Sequence, residues 1–292
     1  MTFVEEEGVL EIAGGRTIGW MVRGPAAGTV VGYFHGQPGS RRDLRIFSEQ
    51  TLSRFGVRML AIDRAGYGDT SAAGLDRRDV ARDLLTVADH LGVAEFPVMA
   101  VSMGGVYALA LAAITPERVT KVVLVSGHVL PYDDPVIIAA MSGAEQADVA
   151  RLVGGRTPGL EAEYAAATAA TAEDPVGMLR GLAIGWASRE QRLVETPWGD
   201  AVAGSLAFGL SAGHVGLMED GLRTVSPLEF DLSDVQCPVR AIHGTIDDLE
   251  PYANLERLAA RLTDCAVVAL PGMGHFGPWL WPDSIFGLVF GD

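Results

Sequence analysis

The sequence predicts an α/β fold, with a mostly parallel sheet, helices on both its faces, and a helical cap inserted between two of its strands. Three observations carry this expectation. Short apolar runs alternate with helical patterns from about residue 29 to residue 125. From about 128 to 235 the strand rhythm stops, and helical patterns rich in alanine take over. The rhythm then resumes at Pro238. A repeated β–α–β order builds parallel sheets covered on both faces. A helical block set between two strands of such a sheet is placed to cover the strand ends where ligands bind. The expected division is a core of residues 1–127 and 236–292, with a cap of residues 128–235.

Residues 8–12 and 17–22, joined through Gly14-Gly15-Arg16, read as an opening hairpin. Residues 29–34 form an apolar run and hence a buried strand. Leu44, Phe47, Leu52 and Phe55 give a rough helical face, and residues 57–62 are the next strand. Asp76 has the chemistry of an N-cap, and Val80, Leu84, Val87, Ala88 and Leu91 follow it at helical spacing. Residues 96–101 read as a strand, 104–113 as a small-residue helix and 119–125 as a strand. After the cap come a strand at 238–243, a helix at 252–262, a strand at 266–270 and a last helix at 282–290.

Composition narrows the function classes. At 292 residues and 49% hydrophobic, the chain can bury a large core. Its mean hydropathy is +0.24, yet no apolar run reaches the ~18 residues of a membrane span. Lys and Arg total 22 against 37 Asp and Glu, a net charge of −15, which disfavours nucleic acid and anionic membranes as partners. The acidic opening, Val4-Glu5-Glu6-Glu7, lacks the basic and apolar regions of a secretory signal, so a cytoplasmic location is expected. Two cysteines without a CxxC pattern read as free thiols. The expected partner is a small-molecule substrate, and the chain is expected to act as a monomer or homodimer.

The strongest local signal is Val98-Met99-Ala100-Val101-Ser102-Met103-Gly104-Gly105, an apolar strand running through a serine into a helix. A sharp strand-to-helix turn presents such a serine at the sheet edge, and small residues must flank it two positions away. Ser102 is the expected nucleophile. It needs a base, and the base needs an orienting carboxylate. His275, in the loop Pro271-Gly272-Met273-Gly274-His275 after the last expected strand, is the candidate base. Asp247, after the preceding strand, is the candidate acid, with Asp248 as its rival. The chain order Ser, Asp, His fits this architecture. A tetrahedral intermediate also needs two N–H donors. Met103, next to the nucleophile, offers one, and Gln37, in the turn Phe34-His35-Gly36-Gln37-Pro38-Gly39, offers the other.

These motifs resemble the α/β-hydrolase superfamily. His35-Gly36-Gln37-Pro38-Gly39 is similar to its HGxPG oxyanion turn, and Asp63-Arg64-Ala65-Gly66-Tyr67-Gly68 to its DRxGYG loop. Ser102, Asp247 and His275 fall on its nucleophile, acid and base positions. The nearest resemblance is to bacterial serine-nucleophile members, esterases and proline-iminopeptidase-like enzymes. Ala100 replaces the usual glycine of the elbow, and Glu250 stands where an apolar residue usually precedes the proline. A serine at the nucleophile position speaks against the haloalkane dehalogenase and epoxide hydrolase chemistry that the resemblance would otherwise include, since those members use an aspartate.

The remaining histidines and the cap supply further candidates. His35 reads as a structural brace of its turn and His243 as a packed core residue. His128 and Trp186, in or beside the cap, are candidate substrate contacts. No histidine pair has metal-ligand spacing and no GxGxxG opens a helix, so neither metal nor cofactor is expected. The expected activity is hydrolysis of a carboxylic ester, lactone or amide through an acyl-enzyme. The alternatives on the same constellation are C–C bond hydrolysis, lyase or acyltransferase chemistry, and a non-catalytic ligand receptor.

Overall fold

The computed structural model describes residues 2–183 and 186–291. Strands β1 (Phe3–Glu11) and β2 (Thr17–Pro25) form the opening hairpin, followed by β3 (Thr29–Phe34), helix α1 (Glu49–Phe55), β4 (Val57–Ile62), α2 (Arg77–His90), β5 (Phe96–Val101), α3 (Gly104–Ile114) and β6 (Val119–Val125). The chain then runs through α4 (Pro135–Ala139), α5 (Gly143–Val153), α6 (Pro158–Glu173), α7 (Pro175–Ala183), α8 (Pro197–Gly209) and α9 (Val215–Thr224). It returns as β7 (Val239–Gly244), α10 (Tyr252–Ala259), β8 (Cys265–Leu270) and α11 (Pro282–Phe290).

Among the described residues eight strands form one sheet in the order β1-β2-β4-β3-β5-β6-β7-β8. The β1–β2 and β2–β4 pairs are antiparallel, and every later pair is parallel. Side chains alternate between two buried faces, as the strand period of two requires. Val98, Ala100, Val122 and Leu124 pack with α2 and α3 on one face. Met99, Val123 and Val125 pack with Phe47, Trp279 and Phe286 on the other. Burial on both faces explains why the central strands read as unbroken apolar runs. The edge strand β8 is only half-buried, and Cys265 in it and Cys237 before β7 are free thiols of intermediate exposure.

Local chemistry sets the helix limits. Asp76 caps α2 by accepting the Asp79 N–H at 3.0 Å. The helical face expected from Leu44 to Phe55 is broken in two. A 3-10 turn over Arg41–Ile46 ends at an extended Phe47, and Ser48 then caps α1. In the inserted region Ser142 and Thr157 cap α5 and α6, while α4, α6 and α8 carry proline in their first turn.

Helices α4–α9 form the inserted helical cap region, and no described residue between β6 and β7 lies in a strand. Because β6 and β7 pair directly, the chain leaves and re-enters the sheet between neighbouring strands. The last part of this segment is tied to the core. Asp220 of α9 is buried against Arg64, and Leu232 and Val235 belong to the same apolar cluster as β5 and α3. The loops after β3, β5, β6, β7 and β8 leave the C-terminal ends of parallel strands, so they share one edge of the sheet.

Candidate active site

Ser102 occupies the turn between β5 and α3 with φ 50°, in the left-handed region. A non-glycine residue held there stores on the order of 1–3 kcal/mol and persists only where its surroundings fix it. Three hydrogen bonds do so. The Ser102 N–H donates to the Val125 carbonyl at 3.1 Å, and its own carbonyl accepts from His128 N at 2.8 Å and Gly105 N at 2.9 Å. The glycines after it are required by close approach. A Cβ at Gly104 would strike the Phe34 carbonyl, and one at Gly105 would lie 2.6 Å from the His128 carbonyl. Ala100 is fully buried in β5, so the methyl that replaces the usual glycine is accommodated.

Asp247 and His275 are brought together by the loops after β7 and β8. His275 Nδ1 lies 2.9 Å from Asp247 Oδ2. Asp247 also accepts from the backbone N–H groups of Leu249 at 3.0 Å and Glu250 at 2.9 Å through Oδ1. A second histidine, His243, places Nε2 3.1 Å from Oδ2. Burial alone would raise the Asp247 pKa, but the charge of His275 and the hydrogen bonds from His243 and His275 outweigh it, holding the carboxyl well below the usual carboxylate range. The rival Asp248 is exposed. For His275, burial opposes protonation, yet Asp247, then Glu250 and Glu190, hold its pKa above the ordinary histidine value. The bond to Asp247 fixes the proton on Nδ1 and leaves Nε2 with the lone pair.

Among the described residues no partner holds the Ser102 hydroxyl. The serine is joined to the His275 loop through the end of β6. Val125 takes the Ser102 N–H, and the next residue, Ser126, donates its hydroxyl to the His275 carbonyl at 2.6 Å. Ser126 is buried and, like Ser102, left-handed, with φ 46°. Hydrogen bonds between nucleophile and base are often long or absent before substrate binds.

The turn after β3 lies against the serine, since a Cβ on Gly36 would be 3.4 Å from Ser102 Cβ. Neither the Gln37 nor the Met103 backbone N–H donates to a protein acceptor among the described residues. The Gln37 side chain instead donates to the Leu217 carbonyl of α9 at 3.2 Å. Arg64 braces the turn from behind. Its backbone N–H donates to His35 Nε2 at 3.1 Å, and its guanidinium donates to the carbonyls of His35 and Gly36. His35 Nδ1 lies 2.8 Å from the Gly36 carbonyl, so His35 is neutral with its proton on Nδ1. Burial and then the Arg64 charge hold its pKa well below the ordinary value, in keeping with a bracing role. Asp220 neutralises Arg64 and accepts from the hydroxyls of Tyr67, at 2.9 Å, and Tyr107.

The two substrate candidates from the sequence stand beside this assembly. His128 is fully buried, with Nδ1 3.2 Å from Glu250 Oε2, which also accepts from Tyr132. Trp186 stacks on Phe276, the residue after His275, with ring centroids 3.9 Å apart. Reasoning from sequence missed His243, Ser126 and Glu190. The i, i+4 spacing of His243 and Asp247 was the available signal for the first, and nothing local marks the other two. Among the described residues no three His, Cys, Asp or Glu side chains are grouped to hold a metal ion.

Residues 29–281 match the family model described as alpha/beta hydrolase fold. A 116-residue segment, 39% of the chain, is 32% identical to the dihydrolipoyllysine-residue acetyltransferase component of an acetoin cleaving system from Pseudomonas putida, of which it spans 30%. Over 281 residues, 92% of each protein, the chain is 27% identical to a non-heme chloroperoxidase of Streptomyces lividans. An esterase from Thermogutta terrifontis shares the fold with TM-score 0.66 and 18% identity, over 97% of this chain and 96% of that one.

Proposed function

The chain belongs to the alpha/beta hydrolase fold family, and from that membership and the site's geometry we propose that it is a serine hydrolase cleaving a carboxylic ester, or a related lactone or amide, through an acyl-enzyme. The observation that carries the reading is the 2.9 Å contact between His275 Nδ1 and an ionised, fully hydrogen-bonded Asp247, on the same sheet edge as the left-handed Ser102. In this mechanism Ser102 Oγ attacks the carbonyl carbon and His275 Nε2 takes its proton. Asp247 holds the ring and stabilises the imidazolium. The N–H groups of Gln37 and Met103 receive the oxyanion, held in place by the Arg64 brace. His275 then protonates the leaving group, and a water it deprotonates releases the acid. Trp186 and His128 are assigned to the substrate side of the site: the first stacks beside the base, and the second follows β6 and donates its N–H to the Ser102 carbonyl.

Wild-type protein and Ser102→Ala, compared on a panel of p-nitrophenyl esters, aminoacyl amides and lactones, test the reading. Turnover of at least one ester, lost in the variant, supports it. Turnover that survives in Ser102→Ala contradicts it. The segment resembling an acetyltransferase component favours a second reading, transfer of the acyl group from Ser102 to an acceptor other than water. A rate that rises with added alcohol or thiol, with the ester or the thioester respectively as the product, would favour that outcome.

A further inference from the structure

The loop that carries His275 is gripped from two sides. From the core, Ser126 donates to the His275 carbonyl. From the inserted helical region comes Glu190, which is 1% exposed. Glu190 Oε1 accepts the Gly274 N–H at 2.5 Å, and Oε2 accepts the Phe276 N–H at 3.2 Å. One carboxylate thus takes the two backbone donors on either side of the base. A carboxylate suits this place because both its oxygens accept, whereas an amide would turn a donor toward one of the N–H groups. The approach is close, since a Cβ on Gly274 would lie 3.1 Å from Glu190 Oε2. Glu190 stands in a tight turn closed by its own N–H to the Ala187 carbonyl at 2.8 Å. From the start of that segment Trp186 stacks on Phe276, and Trp198 of α8 packs on the same ring at 5.7 Å.

We propose that Glu190 is a positioning residue that makes presentation of the catalytic base depend on the docked cap, by holding the backbone on both sides of His275. The cap therefore does more than cover the substrate. When the turn carrying Glu190 is seated, the His275 ring is aimed between Asp247 and Ser102. When it is not, two buried N–H groups lose their acceptor and the loop relaxes. The proposal rests on the reading of His275 as the base, and it predicts an effect on the chemical step larger than any effect on binding.

The test compares wild type, Glu190→Gln, Glu190→Ala and Ser102→Ala. It measures hydrolysis of p-nitrophenyl acetate, the rate of labelling by a fluorophosphonate, and the thermal midpoint. Misplacing a reacting group by about 1 Å costs on the order of 100-fold. Both Glu190 variants should lose ~10- to 100-fold in kcat with KM changed less than ~3-fold. Labelling per folded molecule should slow in the same proportion. A kcat within twofold of wild type overturns the proposal. So does a loss that disappears when the variant is assayed far below its thermal midpoint, because that marks a structural role alone. If Ser102→Ala keeps wild-type turnover, the hydrolase reading fails whatever Glu190 does. If Ser102→Ala is inactive and Glu190→Gln is as fast as wild type, the hydrolase reading stands and the cap clamp is wrong.

Discussion

His275 Nδ1 lies 2.9 Å from Asp247 Oδ2, while Asp248, the next residue in the chain, is exposed. The loop after β7 turns the first carboxylate inward, and the backbone N–H groups of Leu249 and Glu250 anchor its far oxygen. Asp247→Asn should lower kcat by on the order of 10⁴, because the amide favours the wrong imidazole tautomer. Asp248→Asn should stay within about twofold, as ordinary exposed substitutions do. Steady-state kinetics of the two variants decide the matter. The reverse ranking would move the acid by one residue.

The pH profile follows from the charges around His275. Asp247 faces it directly, Glu250 and Glu190 approach from neighbouring loops, and all three favour the protonated ring over the opposing effect of burial. As the proposed base, His275 acts only when neutral. Activity should therefore rise with pH through a single ionisation lying above the ordinary histidine value of about 6.5. Glu145 of α5 adds a complication that can be separated. Burial, then the charges of Glu250, Asp148 and Asp248, push its carboxyl up to about 7, with His275 opposing. The rising limb should remain in Glu145→Gln and vanish with the activity in His275→Ala. A limb below the ordinary histidine value in wild type would contradict the charge balance described here.

The left-handed backbone of Ser102 has a consequence for stability that is separate from catalysis. With φ at 50°, any side chain at this position is strained, and glycine is not. Ser102→Gly should be more stable than Ser102→Ala by ~1 kcal/mol, although both lack the proposed nucleophile. Urea denaturation of the two inactive variants measures the difference. Equal midpoints, or a more stable alanine variant, would mean the turn does not hold Ser102 in this conformation.

The parts legible in sequence were those whose signals are local. The central strands β3 to β6 are buried on both faces, so apolar runs mark them cleanly. The first strand was harder, because its opening residues carry Glu5 and Glu7. Both are used in ion pairs across the sheet edge, with Arg23 and Arg42, and alternation alone does not show that. Ser102, Asp247 and His275 are candidates because of glycine-rich turns at strand ends, and spacing alone left Asp247 and Asp248 as rival acids. The choice between Asp247 and Asp248 depends on how a loop turns, which no periodicity encodes. Ser126, His243 and Glu190 were invisible as site residues for a related reason. Each acts only through tertiary contacts, and a buried serine, a strand-end histidine and a glutamate in a helical region are otherwise unremarkable.

The proposed mechanism requires Ser102 to be a nucleophile activated by His275, whose ring Asp247 holds. Reaction with a fluorophosphonate, followed by peptide mapping by mass spectrometry, tests it directly, because the reagent forms a stable adduct only with an activated hydroxyl. One adduct is expected, on the peptide containing Ser102. It should be absent from Ser102→Ala and strongly slowed in His275→Ala. An unlabelled wild-type protein, or an adduct on a different serine, would contradict it.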